Sequence, residues 1–239
     1  MKILLQNSGF SRGLVKVLES LGQEFAFWDG EEPIFDFLNK YANFDLAVFN
    51  YNDNPALLKW AQTHKSGQIF LNNLSREYTD LGEAWVSAGV RFLNMGYAAD
   101  IYAIGDKPIV KTIEKTLCLN DKAGDLSGVP RDIVIMGDKP CKLINYLGRV
   151  NEATKILLLR NAVGYYHAED GPTQNLMNAI ACKCKVVNFP YDLKHVLANE
   201  TYFDRAIALF SSFGNKSLIE AAVKLKESEF NGRFKHYYQ

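Results

Sequence analysis

Short apolar runs alternate along the chain with longer stretches whose apolar positions recur every three to four residues. That alternation predicts strand–helix–strand units and a mostly parallel sheet. In the first half, residues 2–6, 24–28, 45–49, 68–71 and 91–93 read as strands. A helix is expected at 11–21, where the helical spacing stops at Gly22, and another at 33–41, with Ile34, Phe35, Phe37 and Leu38 on one face. A third, at 55–64, opens with Pro55 at a first-turn position, and 76–88 is a fourth. From 105 to 130 the pattern loosens. Residues 109–117 are open between helix and strand, and 121–130, DKAGDLSGVP, reads as a linker rich in Gly, Asp and Ser. A second α/β unit then follows, with strands at 132–136, 163–167 and 185–189, helices at 141–148, 152–162 and 173–182, and closing helices at 203–213 and 217–230. The expectation is an α/β protein of two Rossmann-like lobes with a shortened second lobe: 1–120, a linker at 121–130, and 131–239 including the closing helices. Ligands in such sheets sit where loops converge at the carboxyl ends of the strands, which points to a cleft between lobes.

Composition narrows the class. The chain has 239 residues, 48% hydrophobic and 13% aromatic, enough for a substantial core. Lys plus Arg, 27, balances Asp plus Glu, 27, so overall charge gives no electrostatic footprint for nucleic acid. No apolar run approaches the roughly 20 residues of a membrane span. The opening MKILLQNSGF turns polar too soon for a signal peptide and reads as the first strand. Of the cysteines Cys118, Cys141, Cys182 and Cys184, the pair Cys182-Lys183-Cys184 is too tight for the usual zinc ligand spacing. Buried free thiols in a reducing cytoplasm are expected, with no metal and no resident cofactor.

The richest stretch is VGYYHAEDGPTQNLMNAIACKCKVVNF, from Val163 to Phe189. A strand ends near His167, a polar turn follows at once, and a helix opens with Leu176, Met177, Ile180 and Ala181 at core spacing. Gly171 lets a ligand approach the backbone closely. Pro172 suits a first helical turn. Thr173, Gln174 and Asn175 are then expected to present backbone N–H groups, and such a helix start attracts anions. Asp170 would reach sugar hydroxyls, and Asn178, eight residues on, a ribose hydroxyl. Asp170 also reads simply as a helix cap.

This segment resembles the donor-binding motif of GT-B glycosyltransferases, especially the retaining kind. There an acid-Gly pair precedes a helix that carries a second acid and continues into Ala-Met-Ala-Cys-Gly-x-Pro-Val. Asp170 falls on the first acid and Asn178 on the second, with the spacing kept; Lys183 and Lys185 replace the Gly and Pro after the helix. The resemblance implies that Asp170 contacts the donor sugar, that Asn178 contacts the ribose, and that the amides between them contact the diphosphate. It also implies a basic pair early in the second lobe, for which Lys139, Lys142, Arg149 and Arg160 are available. The first lobe would then serve the acceptor. There Asn7-Ser8-Gly9-Phe10-Ser11-Arg12-Gly13 follows the first strand without the full dinucleotide fingerprint, and Ser8, Gly9, Ser11 and Arg12 are open between ligand contacts and an ordinary turn with a cap.

Other strand ends add Asn50-Tyr51-Asn52-Asp53, Asn72-Asn73, Asn94 and Asp100. Asp53 and Asp100 are the carboxylates available as a catalytic base, and His167 would sit near the pyrophosphate. His64, His195 and His236 show no partner pattern, and the closing Arg233-Phe234-Lys235-His236-Tyr237-Tyr238 reads as a frayed tail. The implied function is metal-independent transfer of a sugar from a nucleoside diphosphate to an acceptor hydroxyl, on a glycan or on a hydroxymethylated DNA base, in a phage or bacterial setting. A non-catalytic nucleotide- or sugar-binding protein with a degenerate GT-B fold is the alternative, and an unrelated nucleotide-dependent enzyme with two α/β lobes is a third reading.

Overall fold

In the first unit, β1 (Lys2–Gln6), β2 (Glu24–Trp28), β3 (Leu46–Asn50), β4 (Ile69–Asn72) and β5 (Arg91–Leu93) form a parallel sheet ordered β2-β1-β3-β4-β5. The computed structural model describes residues 1–50, 54–64, 69–73, 82–120, 126, 128–137, 145–169, 171–187 and 189–238, and for Asn120 the backbone alone. Parallel strands need a crossover between neighbours, and helices supply it: α1 (Gly9–Ser20), α2 (Ile34–Lys40), α3 (Pro55–His64) and α4 (Glu83–Ser87). Ile3, Leu4 and Leu5 are all fully buried, as expected for a strand covered on both faces. One face packs Leu4, Ala47, Phe49 and Leu71 against Phe37, Leu38, Trp60 and Trp85. Gly22 ends α1 at φ 66, where its amide reaches Glu19 and that of Gln23 reaches Leu18; glycine adopts this left-handed geometry without steric cost.

The second unit repeats the topology. Its strands β6 (Ile113–Asn120), β7 (Val134–Gly137), β8 (Ala162–Tyr165) and β9 (Lys185–Val186) are parallel and ordered β7-β6-β8-β9. With them belong α5 (Ile101–Ile104), α6 (Glu152–Asn161), α7 (Gln174–Ala181), α8 (Leu193–Asn199) and a short 3-10 helix, Lys235–Tyr238; α9 (Tyr202–Phe213) and α10 (Lys216–Asn231) follow α8 along the chain. The chain is thus α/β with two parallel sheets.

The boundaries differ from those expected. One unit comprises Met1–Gly96 and Arg205–Leu225, the other Tyr97–Asp204 and Lys226–Gln239, so α9 and α10 each straddle the division. The second unit begins before residue 120 because β6 is a central strand of the second sheet. Its pattern was masked for two reasons. β7 pairs with it only from Leu117 onward, leaving Glu114 and Lys115 in solvent, and its register against β8 slips between Ile113 and Thr116. A bulge of that kind breaks strict alternation. Of the expected linker, Leu126 and Val129 are buried in a cluster with Cys118, Ile133 and Ile135, so these two residues belong to the core. The helix expected at 141–148 is absent over its described residues: Asn145 to Gly148 run alongside β7, with Ile135 N–H donating to Asn145 O and Leu147 N–H to Ile135 O.

The tail is packed. Phe234 and Tyr237 are buried, Phe230 lies edge-on to Tyr237, and the Tyr237 hydroxyl donates to Gly105 O at 3.3 Å. Lys183, in the left-handed region at φ 59, occupies the position after α7 that glycine usually takes, and its Nζ donates to His236 O at 3.3 Å. Burial, then the charges of Arg160 and Lys183, push the His236 imidazole below its usual 6.5, with Asp106 opposing.

Two predictions follow from this packing. A Cβ on Gly164 would lie 2.5 Å from Thr116 Oγ1, so Gly164→Ala should cost about 1–3 kcal/mol in urea unfolding, with most of it restored by adding Thr116→Ala. A depressed histidine pKa gives stability that is present above the unfolded value and is lost as pH falls through the folded one. The wild-type chain should therefore lose stability as pH falls below about 6.5, and His236→Gln should flatten that part of the profile.

Candidate functional site

The segment that resembles a donor site lies at the carboxyl end of β8, beside β6. In a sheet ordered 2-1-3-4 the strand order reverses between these two strands, and ligands of such sheets bind at that point. Tyr166 N–H extends the pairing to Leu117 O at 2.7 Å. His167 then leaves the sheet, and its Nε2 lies 2.7 Å from Gly171 O. A carbonyl only accepts, so Nε2 carries the hydrogen and closes the turn. In the neutral ring Nδ1 is then a bare acceptor; it is shielded from water and has no partner among the described residues.

A Cβ built on Gly171 meets no atom of the described residues within 4 Å. The space in front of the backbone is open. The helix starts one residue later than expected. Thr173 is its cap, with extended backbone at φ −122 and ψ 164, and its Oγ1 accepts from Leu176 N–H at 3.2 Å. Thr173 therefore supplies an acceptor, and the first-turn amides belong to Gln174 and Asn175.

The side chains of Gln174 and of Asn178, the expected ribose contact, turn inward. Gln174 Nε2 donates to Ala98 O at 2.5 Å and to Asn178 Oδ1 at 3.1 Å, and Gln174 Oε1 accepts from the Tyr202 hydroxyl. Asn178 is buried, and its Oδ1 also accepts from Asp100 N–H at 2.8 Å. Ala99, between these contacts, donates its N–H to Glu200 O at 2.7 Å and bridges to Thr201. Asn178 therefore holds the 98–100 segment, which the resemblance did not imply. Tyr202 is the participant that sequence reasoning missed; an aromatic at the head of an amphipathic helix carries no signal of a partner 28 residues away.

The remaining residues fall elsewhere. Asp100 caps α5 through Ala103 N–H at 2.9 Å, and it lies in the second unit, not in an acceptor lobe. Arg160, at the end of α6, donates to Ile104 O, to Lys107 O at 3.0 Å and to Pro108 O at 3.2 Å. α6 leads into the amino end of β8, so Arg160 sits at the opposite pole of the sheet from His167, which corrects its placement beside the diphosphate. Ser8, Gly9 and Arg12 belong to the first unit. Ser8 caps α1 through Ser11 N–H at 3.2 Å, Arg12 Nε reaches Ser8 O at 3.3 Å, and Gly9 is the first helical residue. Asp53, Lys139, Lys142, Asp170 and Cys141 lie outside the described residues. Among the described residues no group of three or more His, Cys, Asp or Glu could hold a metal ion. Burial pushes the thiols of Cys182 and Cys184 up, against the opposing charge of Lys111, and keeps them protonated.

No family model matches the chain, and no curated protein does. One solved structure with a similar course is an ABC transporter periplasmic solute binding protein from Actinobacillus succinogenes 130z with bound D-allose. It is 14% identical over 95% of this chain and 91% of that one, with a TM-score of 0.32. No functional statement follows from a likeness of that size.

The geometry separates a framework residue from a ligand-facing one. Asn178→Ala leaves the half-buried Asp100 N–H without the acceptor at Asn178 Oδ1 and should cost about 1–3 kcal/mol of stability in urea unfolding. Gly171→Ala, which adds a methyl to open space, should change stability by less than about 0.5 kcal/mol.

Proposed function

We propose that this protein binds a nucleoside diphosphate sugar at the start of α7 and transfers the sugar to an acceptor hydroxyl, in the manner of a two-lobed GT-B glycosyltransferase. The observation that carries the reading is the turn from His167 to Thr173. It is closed by the His167–Gly171 bond, opens at Gly171, and leads into a capped helix at the carboxyl end of a parallel sheet. The partial positive charge of that helix start would bind the diphosphate and stabilise charge growing on it as the glycosidic bond breaks. Asp170, carried over from the resemblance, would hold the donor sugar. The acceptor would be a glycan or a hydroxymethylated DNA base. Lys139, Lys142 and Arg149 are the remaining candidates for the basic pair, because Arg160 is committed to backbone carbonyls.

A second reading, a nucleotide- or sugar-binding protein without catalysis, is favoured by one observation. Asn178, which stands where the family pattern has its second acid, spends its oxygen on Asp100 N–H and Gln174 Nε2.

Calorimetric titration with UDP, GDP, ADP and their sugar conjugates tests the site. At least one diphosphate should bind, and Gly171→Ala should weaken it roughly tenfold or more by crowding the approach while the fold stays intact. If none of the panel binds, the donor-site reading fails. Binding without donor hydrolysis or sugar transfer assigns the non-catalytic reading.

A further inference from the structure

Each of the two sheets has two edge strands, and among the described residues three of these four edges are guarded. β5 is three residues long, and its exposed Arg91 donates to Ser212 O at 2.8 Å. The outer side of β7 is taken by residues 145–148. β9 has two residues, one of them the exposed Lys185. β2 is the exception. It has five residues, EFAFW, paired with β1 in unbroken register from Glu24 to Trp28. It holds no lysine, arginine, proline or bulge, the usual guards of an open edge.

The backbone of β2 shows which groups are left over. Glu24 N–H donates to Met1 O at 3.0 Å, and Asn7 N–H donates to Trp28 O at 2.8 Å. Bonding residues alternate along a parallel strand, so 24, 26 and 28 face β1, and the N–H and C=O of Phe25 and Phe27 point away from the sheet. These four groups have no partner among the described residues. Side chains alternate as well. Ala26 and Trp28 pack against the cluster that contains Trp60, so Phe25 and Phe27 lie on the other face, half-buried, with ring centroids 5.5 Å apart.

We propose that β2 pairs antiparallel with β2 of a second copy of this chain about a twofold axis, joining two five-stranded sheets into one. The occupant follows from the symmetry of the strand. The outward groups flank Ala26, so a copy turned end for end about that residue meets all of them. Phe25 then exchanges both backbone bonds with Phe27 of the second copy, and Phe27 with its Phe25. The same register sets phenylalanine opposite phenylalanine, a favourable cross-strand pair, and Glu24 opposite Trp28, so no like charges meet. A slip of one residue would set Phe25 against Ala26, whose backbone groups are bonded to β1. The interface concerns the first unit alone and holds whether or not the α7 turn binds a nucleotide.

Sedimentation velocity on the full chain over a range of concentrations tests the pairing, for wild type, Phe25→Lys and Phe27→Pro. Lysine puts a charge on the edge, and proline removes one outward N–H while leaving the bonds to β1 in place. Circular dichroism checks that both variants fold. Wild type should form a dimer whose fraction rises with concentration, and both variants should weaken it roughly tenfold or more. Hydrogen exchange supplies a readout that needs no variant: the Phe25 and Phe27 amides should become protected as the dimer forms, whereas Ala26 is protected throughout. A wild type that stays monomeric up to its solubility limit overturns self-pairing. So do variants that dimerise as wild type does, or a dimer in which the two amides still exchange freely. A monomer whose Phe25 and Phe27 amides are protected only after an unrelated extended peptide is added assigns the edge to a foreign strand, and the second-copy reading falls.

Discussion

The carboxamide oxygen of Asn178 lies out of water between two donors, the Asp100 N–H and Gln174 Nε2. A buried acceptor of this kind must be satisfied, and here the donors come from its own helix and from the segment that begins the second unit. Gln174 extends the knot to Ala98 O and the Tyr202 hydroxyl, and Ala99 closes it onto Glu200. The first turn of α7 is thereby fixed from behind. Its front, where the helix amides and the His167 turn are presented, is positioned by contacts that no ligand needs to disturb.

The first sheet was legible almost residue by residue, because its central strands β1, β3 and β4 are buried on both faces and read as uninterrupted apolar runs such as Ile3-Leu4-Leu5. The second was harder. β6 mixes Glu114 and Lys115 with a bulge, α5 spans a single turn, and α8 is short. A tail of Arg, Lys and His residues reads as solvent-seeking, yet its aromatic members pack against Phe230 and Tyr102, and that burial outweighs the charges beside them.

In the candidate site, the order of elements was easier to read than the directions of the side chains. The strand, polar turn and helix were all recognisable from spacing. Whether Asn178 looked outward or inward was not, because its partners, Asp100 and Gln174, lie 78 and four residues away and neither carries a pattern of its own. The same holds for Arg160: a cation in the last turn of a helix suits either a phosphate or backbone carbonyls, and only the fold shows that it reaches the carbonyls of 104, 107 and 108.

The close approach of Gly164 to Thr116 reaches beyond one residue. β6 and β8 meet where one strand has no side chain and the other fills the gap with a hydroxyl and a methyl. This pair acts as a key for strand alignment: sliding β8 by one residue would drive Val163 or Tyr165 into Thr116. Positions 116 and 164 should therefore change together over evolutionary time, a larger residue at one being matched by a smaller one at the other, and a joint search for that pattern would recognise the second sheet in chains too diverged to align by their apolar runs.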